Sequence, residues 1–324
     1  MYRPWTSLGV RSLVFRAGGL ALLRAVQSAG PQIIAYHRFP AASVETLDRQ
    51  CRYLRSRHSL VSLQQIDAWL YEDVPLPRGA IAVTVDDGHR DFYRIAYPVF
   101  RAHHIPVTVF LTTGFLDRVC WLWPDAVSYL LFRSPLEQAD IPLGAGTQLF
   151  SLRSDQDRTA AVSAVKQAYK RLDQDLRCAL LARLPELLKV FLPGTPPPEY
   201  EALTWDEARE MYTHGIRFGA HTQTHPVLSS IREEAGLASE IAGSKRRIET
   251  ELGASVNHFA YPNGTSQDFN TAVVDQVRRA GYSSAFLAEP GINRKSTDHF
   301  ALYRVPVEPT TPMPFFGRAV LRSR

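Results

Sequence analysis

The chain has 324 residues, 45% of them hydrophobic and 21% charged, and it carries a formal net charge of +5. This composition can bury a full core in one large or two modest domains, which excludes an intrinsically disordered protein. The basic excess is spread along the chain, whereas a nucleic-acid surface concentrates its Lys and Arg, so we predict no nucleic-acid partner.

The first 30 residues contain apolar patches that Arg11, Arg16 and Arg24 interrupt. The patches are too broken for a transmembrane span or for the core of a signal peptide. They predict an amphipathic helix over residues 1–30 that docks on the following domain or makes a peripheral contact with a membrane surface. We expect the protein in the cytoplasm or on the cytoplasmic face of the membrane.

Short apolar segments alternate with segments of helical periodicity along most of the chain. The apolar segments, typical of buried strands, are 32–37, 80–85, 107–113, 216–221, 258–262 and 283–288. The helical segments are 43–57, 91–104, 233–252 and 268–281. This alternation predicts parallel strands with helices outside them, as an α/β barrel or an open sheet.

Residues 117–200 break the alternation, because they have helical patterns, above all at 157–192, and end in a Pro-rich stretch. We interpret them as a helical insertion packed beside the barrel, with the main fold resuming at 203–215. A separate domain is the alternative.

The three cysteines, Cys51, Cys120 and Cys178, are odd in number and have no CxxC spacing. A disulfide framework pairs its cysteines and a thiolate metal site spaces them closely, so the sequence predicts free thiols instead.

The apolar segment 80–85 runs directly into Asp86 and Asp87. In parallel α/β folds the carboxyl ends of the strands carry functional groups, because the loops there face one crevice. Adjacent carboxylates repel each other unless a cation takes up one charge; with a metal ion on one, the other can act as a base. In isolation the same pair would indicate only a turn with an aspartate cap.

His221 and His225 follow another apolar segment and are four residues apart. This spacing allows both rings to reach one ion but does not require it. With one aspartate they form a three-ligand set that leaves positions open for water, as catalytic zinc sites do. A third strand end, at 259–264, adds a Pro-Asn-Gly turn that can direct backbone N–H groups inward.

These three strand ends resemble known motifs. TVDDG at 84–88, HTQTH at 221–225 and FAYPNG at 259–264 are similar to the first three motifs of the NodB-homology polysaccharide deacetylases, carbohydrate esterase family 4. The similarity covers roughly residues 32–308 and includes AYHRF at 35–39.

The resemblance implies an irregular (β/α)7-type barrel of the α/β class. We therefore expect an N-terminal amphipathic segment at 1–30, a deacetylase domain at 31–310 with a helical insertion at about 117–200, and a C-terminal tail at 311–324.

The resemblance also assigns roles to individual residues. It implies Asp86 as the catalytic base, and Asp87, His221 and His225 as ligands of Zn²⁺ or another divalent metal ion. Thr222 is expected to steady the histidine loop. In the third motif, Tyr261 and Pro262 are expected to shape the site, and the backbone N–H of Asn263 to donate to the oxyanion.

Two parts of the family pattern are missing. The third motif lacks the arginine that tunes the base, and Arg304 is the candidate replacement, although it could equally be a structural ion-pair partner. No clear Leu-x-His supplies a general acid; His299 lies near the expected position, where a loop histidine is usually just solvated. His37 and Arg38, after the first strand, are expected to face the cleft as substrate or site-shaping contacts.

The resemblance implies metal-assisted hydrolysis of N-acetyl groups on an N-acetylhexosamine polymer or glycolipid, releasing acetate and a free amine. Two alternatives stay open, a metal-dependent amidohydrolase of small non-sugar amides and a carbohydrate-binding relative that has lost catalysis. Trp121, Trp123 and Trp205 fit sugar stacking and core packing equally well. The sequence does not set the oligomeric state.

Overall fold

The computed structural model describes residues 30–321. Apart from Gly30, the helix predicted for residues 1–30 lies outside the described residues.

The described residues form ten strands and a set of surrounding helices. The strands are β1 Gln32–Tyr36, β2 Ser59–Leu60, β3 Ala80–Val85, β4 Val107–Leu111, β5 Gln138–Pro142, β6 Thr147–Ser151, β7 Arg217–Ala220, β8 His258–Ala260, β9 Ser284–Phe286 and β10 Val305–Pro306. The α-helices are Val44–Arg57, Leu63–Tyr71, Tyr97–Ala102, Thr113–Leu116, Trp123–Arg133, Asp155–Lys170, Gln174–Leu187, Trp205–Thr213, Glu234–Ala238, Ser244–Leu252, Thr271–Arg279 and Met313–Leu321. Two π-helical segments, Phe92–Ala96 and Ser239–Gly243, adjoin them.

The main sheet is wholly parallel and follows the order β10-β1-β3-β4-β7-β8-β9, with β2 paired to the start of β3. The sheet curls, and the chain just before β10 connects its two ends. Leu302 bridges Phe286 of β9, and β10 then pairs with β1 at Ile34 and Val305. The predicted α/β barrel is confirmed, since all six predicted apolar segments contain strands of this sheet.

The apolar character of the strands follows from burial on both faces. Every residue of β1, β3 and β4 is buried, because helices cover the outside of the sheet and side chains fill its inside. Capping boxes fix the start of two of the covering helices, at Ser62 with Gln65 and at Thr204 with Glu207. No helix among residues 30–321 is long and apolar enough to cross a bilayer.

The insertion differs from the all-helical segment expected from the sequence. It contains three helices, Trp123–Arg133, Asp155–Lys170 and Gln174–Leu187, but also an antiparallel hairpin of β5 and β6. Alternate residues of β5, Ala139 and Ile141, enter a core separate from that of the barrel. The hairpin escaped prediction because its strands are mostly exposed and carry few apolar residues.

The C-terminal segment is also more ordered than the expected tail. Helix Met313–Leu321 packs on helix Val44–Arg57, with Phe316 and Val320 fully buried. Phe316 meets Tyr53 edge to face, at 6.1 Å between ring centroids. Phe316 and Val320 are four residues apart in helix Met313–Leu321, so both lie on the same face of the helix.

Candidate active site

The carboxyl ends of neighbouring strands bring the predicted site residues together. Asp86 and Asp87 follow β3, and His221 and His225 follow β7, with β4 between the two strands. The His221 N–H donates to Leu111 O of β4 at 2.9 Å, so the β7 loop continues the sheet before it turns. Parallel order thus places residues far apart in sequence at one edge.

Asp86 is buried and forms a bidentate ion pair with Arg304. The two guanidinium nitrogens donate to Oδ1 and Oδ2 at 2.6 and 2.7 Å. Arg304 is itself fully buried and also donates through Nε to Leu287 O at 2.7 Å. Burial alone would raise the pKa of Asp86, but the charge of Arg304, helped by His221 and His37, lowers it. Asp86 is therefore held ionised and in one orientation.

Asp87, His221 and His225 form the one three-residue cluster among the described residues with the geometry of a metal site. Asp87 Oδ1 lies 3.4 Å from Nε2 of both histidines. Ligand atoms about 2.0–2.1 Å from a tetrahedral zinc ion lie about 3.4 Å from each other, so the spacing suits such an ion. Asp87 Oδ1 is also buried without a hydrogen-bond partner, as a ligand atom should be. The residues present fit the metal.

The tautomer of His221 suits the same role. Its Nδ1 lies 2.7 Å from Ala260 O, which can only accept a hydrogen bond, so Nδ1 carries the proton. The Nε2 lone pair is then free to bind a cation. The pKa of Asp87 lies well below its ordinary value because, although burial raises it, the two histidine rings lower it more strongly.

Strained backbone aims these side chains inward. Asp87, Thr222 and His225 all have positive φ, of 75°, 70° and 58°. Thr222 supports the loop, since its Oγ1 donates to His221 O and accepts from the His225 N–H at 3.0 Å. Positive φ is uncommon outside glycine and tends to occur at functional sites.

Sequence reasoning missed Glu240, which lies in the π-helical segment Ser239–Gly243. Its Oε2 accepts from the N–H groups of Gln223 and Thr224 at 2.8 and 3.0 Å, and its Oε1 accepts from Thr224 Oγ1 at 2.6 Å. One carboxylate therefore fixes the turn between the two histidines. No local sequence motif predicts this contact, because Glu240 and the histidine turn belong to separate elements.

Sequence reasoning also missed His89, which lies beside Asp87, and its partner Asp125. His89 is buried, with Nδ1 3.8 Å from Asp87 Oδ2 and Nε2 2.7 Å from Asp125 Oδ2. Asp125 belongs to the insertion helix Trp123–Arg133 and also lies 3.8 Å from Arg38 NH1. This chain of contacts couples the insertion to the metal-ligand cluster. The sequence feature that could have identified His89 is its position two residues after Asp87.

His37 and Arg38 lie at the carboxyl end of β1, as expected. His37 Nε2 is 3.5 Å from Asp86 Oδ2, and its side chain is 37% exposed, so it can reach both the base and solvent. Arg38 pairs with Asp91 at 2.8 Å and lies over the Tyr200 ring, 5.9 Å from its centroid. His37 therefore contacts Asp86 directly, whereas Arg38 shapes the rim.

The third motif lies on the same face. Tyr261 and Pro262 are buried, and Tyr261 stacks on Phe269 at 4.3 Å while its hydroxyl donates to Phe300 O at 2.8 Å. Asn263 has a φ of 62°, and its Nδ2 is buried without a hydrogen-bond partner in the described structure. Tyr261 and Pro262 thus hold the turn, and Asn263 keeps a free donor.

The structure does not place His299 at this site, which corrects the expectation for it. Its carbonyl accepts from Ala285 N–H beside the start of β9, and its ring packs edge to face on Tyr71 at 4.7 Å. Tyr71 in turn donates to Ser283 O, ahead of β9. The site residues follow the carboxyl ends of the strands, so His299 is at the wrong end of β9. Its position in the sequence, near that of the family's last motif, had suggested otherwise.

Comparison with known proteins identifies the family of this chain. The family model described as polysaccharide deacetylase matches residues 73–138 and 158–285, more than half of the chain. YxkH of Bacillus subtilis (strain 168), whose name places it among the polysaccharide deacetylases, is 27% identical over 128 residues. That alignment spans 40% of this chain and 44% of YxkH, less than half of the relative's length.

Solved structures share the fold at low identity. The Streptococcus pyogenes deacetylase PplD has a TM-score of 0.59 and 16% identity, covering 91% of this chain and all of that one, 100%. IcaB from Ammonifex degensii has a TM-score of 0.58 and 20% identity, covering 92% and 99%. These two structures share the fold, and because the family model matches more than half of the chain, the chain belongs to the polysaccharide deacetylase family.

Proposed function

We propose that this protein removes N-acetyl groups from an N-acetylhexosamine-containing glycan or glycolipid, using a divalent metal ion. The observation that supports this proposal most directly is the Asp86–Arg304 ion pair, which lies directly beside the three-ligand cluster of Asp87, His221 and His225. An ionised base next to an open metal site is the arrangement that hydrolysis of an amide requires.

The metal would be held by Asp87 Oδ1 and by Nε2 of His221 and His225. A zinc ion held there would supply polarisation of the acetyl carbonyl and a bound water with a pKa lowered to about 7. Glu240 keeps the histidine turn in place, and Ala260 O keeps His221 in the tautomer that can bind a cation.

Asp86 accepts the proton of the water that attacks the acetyl carbon, and Arg304 keeps Asp86 ionised and oriented for this step. The backbone N–H of Asn263 is the candidate donor to the oxyanion that develops. The amide C–N bond then breaks, giving acetate, and the nitrogen leaves with a proton as a free amine.

His37 replaces His299 as the candidate proton donor to that nitrogen. It is the histidine outside the metal cluster that lies nearest to Asp86, and its partial exposure allows it to exchange protons with solvent. The Streptococcus pyogenes relative PplD was solved in complex with acetate, and acetate is the product expected here.

The first test combines metal content and acetate release. Purified protein should contain about one zinc per chain, and both Asp87→Asn and His221→Ala/His225→Ala should lose it. Asp86→Asn should keep the metal but release acetate from an N-acetylated chitooligosaccharide about 10²–10⁴-fold more slowly. Asp175→Asn, a change at an exposed aspartate, is the control and should match the wild type.

A wild type that binds sugar and metal but releases no acetate from any N-acetylated sugar would contradict the proposal and favour a binding protein. Release from small non-sugar amides alone would favour the amidohydrolase. His37→Ala should slow release while keeping the zinc, and an unchanged rate would remove His37 from the mechanism.

A further inference from the structure

The chain that leaves the insertion holds the turn that follows the candidate ligand Asp87. The Leu203 N–H donates to Gly88 O at 2.9 Å, and the Arg90 N–H donates to Glu201 O at 2.8 Å. The two hydrogen bonds lie on either side of one residue of this turn. They therefore fix the backbone of that residue against the end of the insertion.

The residue between them is His89, and the start of the insertion holds its side chain. Its Nε2 lies 2.7 Å from Oδ2 of Asp125, in the first turn of helix Trp123–Arg133. A carboxylate oxygen accepts, so Nε2 is the donor. The ring also meets Phe115 edge to face, at 5.1 Å between ring centroids, and is only 2% exposed. Asp125 and Phe115 thus fix the ring from two sides.

The fixed ring lies against the carboxylate of Asp87. Nδ1 of His89 is 3.8 Å from Asp87 Oδ2, whereas Asp87 Oδ1 lies 3.4 Å from Nε2 of both His221 and His225. Nδ1 is buried and has no hydrogen-bond partner in the described part of the chain. A rigid neighbour beside Oδ2 restricts rotation of the carboxylate, so Oδ1 stays directed at the two candidate histidine ligands.

Asp125 is itself held in one place. Val127 and Leu130 of the same helix are buried in the core of the insertion. The second oxygen of Asp125, Oδ1, lies 3.8 Å from NH1 of Arg38, at the carboxyl end of β1. The carboxylate therefore joins three elements, the insertion helix and the loops that follow β1 and β3.

We propose that Asp125 is a positioning residue for the metal centre. It fixes the His89 ring, and the ring keeps Asp87 in the orientation that binds a divalent cation. The inference rests on the proposed function in one respect, namely that an ion binds at Asp87 and the two histidines. The insertion then supplies a working part of the metal centre, although it contributes no ligand.

Zinc affinity of the whole protein, measured by competition with a chelator, tests this role. Asp125→Ala should weaken zinc binding about 10–100-fold, as loss of a group that orients metal ligands does. Asp125→Asn keeps an oxygen that accepts from Nε2 and should stay within about threefold of the wild type. Asp140→Ala, at an exposed aspartate of the same insertion, is the matched control and should bind zinc as the wild type does.

A double-variant cycle shows whether Asp125 acts through His89. If it does, His89→Ala/Asp125→Ala should bind zinc no more weakly than His89→Ala alone, to within about twofold. Losses that multiply in the double variant would mean that Asp125 acts by another route and would overturn the inference. An Asp125→Ala affinity equal to that of the wild type would overturn it as well.

Cobalt in place of zinc separates orientation from general damage to the fold, because its visible absorption depends on the arrangement of its ligands. At saturating cobalt, Asp125→Ala should alter this spectrum and Asp125→Asn should not. A variant that is only less stable would give the wild-type spectrum. If urea denaturation shows that Asp125→Ala does not fold, His89→Phe replaces it in both measurements. That variant keeps a buried ring that cannot bond Asp125, and it should show the same loss.

The two proposals fail separately. Zinc binding that depends on Asp125 in a protein that releases no acetate would retain the positioning role and refute the chemistry. Acetate release by the wild type, with zinc affinity and cobalt spectrum unchanged in Asp125→Ala, would refute the positioning role alone. A wild type that binds neither metal ion would overturn both.

Discussion

Asp86 shows how a single side chain at this site depends on a distant partner. Its carboxylate is buried, and the guanidinium that neutralises it comes from a residue 218 positions later in the sequence. A buried carboxylate without a counter-charge would take up a proton and could no longer act as a base. Arg304 therefore serves both stability and the ionisation state of Asp86.

Removal of that partner should be more damaging than removal of the whole pair. Arg304→Met leaves Asp86 buried and unpaired, so we expect the free energy of unfolding to fall by about 3–5 kcal/mol. Asp86→Asn/Arg304→Met removes both charges and should recover part of this loss. Urea denaturation of the two variants and the wild type measures the difference. A double variant no more stable than Arg304→Met would show that charge burial is not the cause.

At the scale of elements, the turn between the two histidines is held from outside by the π-helical segment Ser239–Gly243. Glu240→Ala removes the acceptor for two backbone N–H groups but no candidate ligand. We expect zinc affinity to fall about 10–100-fold, as for other residues that orient metal ligands.

Competition with a zinc chelator would measure that affinity. Glu249→Ala is a matched control, since Glu249 accepts from the Val256 N–H and does not touch the histidine turn. Equal affinities in both variants would mean that the turn keeps its shape without Glu240.

Helix Leu63–Tyr71 is attached to the opposite end of the barrel through Asp67. Its carboxylate accepts from His258 at 2.9 Å, from Ser283 at 2.6 Å and from Ser284 at 3.0 Å. Burial acts to raise the pKa of Asp67, but the contact with His258 and the serine hydroxyls lower it. Both serines donate to Asp67 and not to His258, so this group fixes structure and is not a nucleophile.

This attachment should depend on pH. The pKa of Asp67 in the folded protein is below its unfolded value of about 3.9, so its contribution is present above that pH and is lost as the pH falls through the folded pKa. Wild-type stability should therefore drop more between about pH 5 and pH 3 than that of Asp67→Asn. Urea midpoints across this interval test it, with Asp175→Asn as the control; parallel curves would contradict the assignment.

At the scale of the whole molecule, the described chain has separate barrel and insertion cores. Leu111 belongs to the barrel core, where its side chain lies against the Gly88 turn, and Leu184 belongs to the insertion core; both are fully buried. Substitution of either leucine leaves a cavity, which costs about 2–5 kcal/mol.

The two substitutions should differ in their effect on the metal. Leu111→Ala should weaken zinc binding, because it loosens the turn after Asp87. Leu184→Ala should leave the zinc affinity within about twofold of wild type, because its core lies apart from the cluster. Denaturation and zinc titration of both variants check this, and a large loss of zinc affinity in Leu184→Ala would show that the two cores act as one.

Much of the barrel and the central residues of the candidate site could be predicted from the sequence, because short local segments specify both. The apolar segments at 80–85 and 107–113 could be recognised as strands from a few adjacent residues, and Asp87 with His221 from their motifs. The contacts of Glu240 and Asp125 could not, since each depends on how distant elements pack, and for Arg304 the sequence left a charge contact with the base and a structural ion pair equally open. The exposed hairpin of β5 and β6 lacked a hydrophobic pattern, and His299 was misplaced because sequence distance does not show which end of a strand a residue occupies.

The late position of Arg304 also matters during translation. The ribosome makes Asp86, the metal-ligand residues and the third motif before it makes the arginine that neutralises Asp86. A nascent or truncated chain that stops before Arg304 would carry all three candidate ligand residues and an Asp86 without its counter-charge. Closure of the barrel is therefore also the step that brings Arg304 to Asp86.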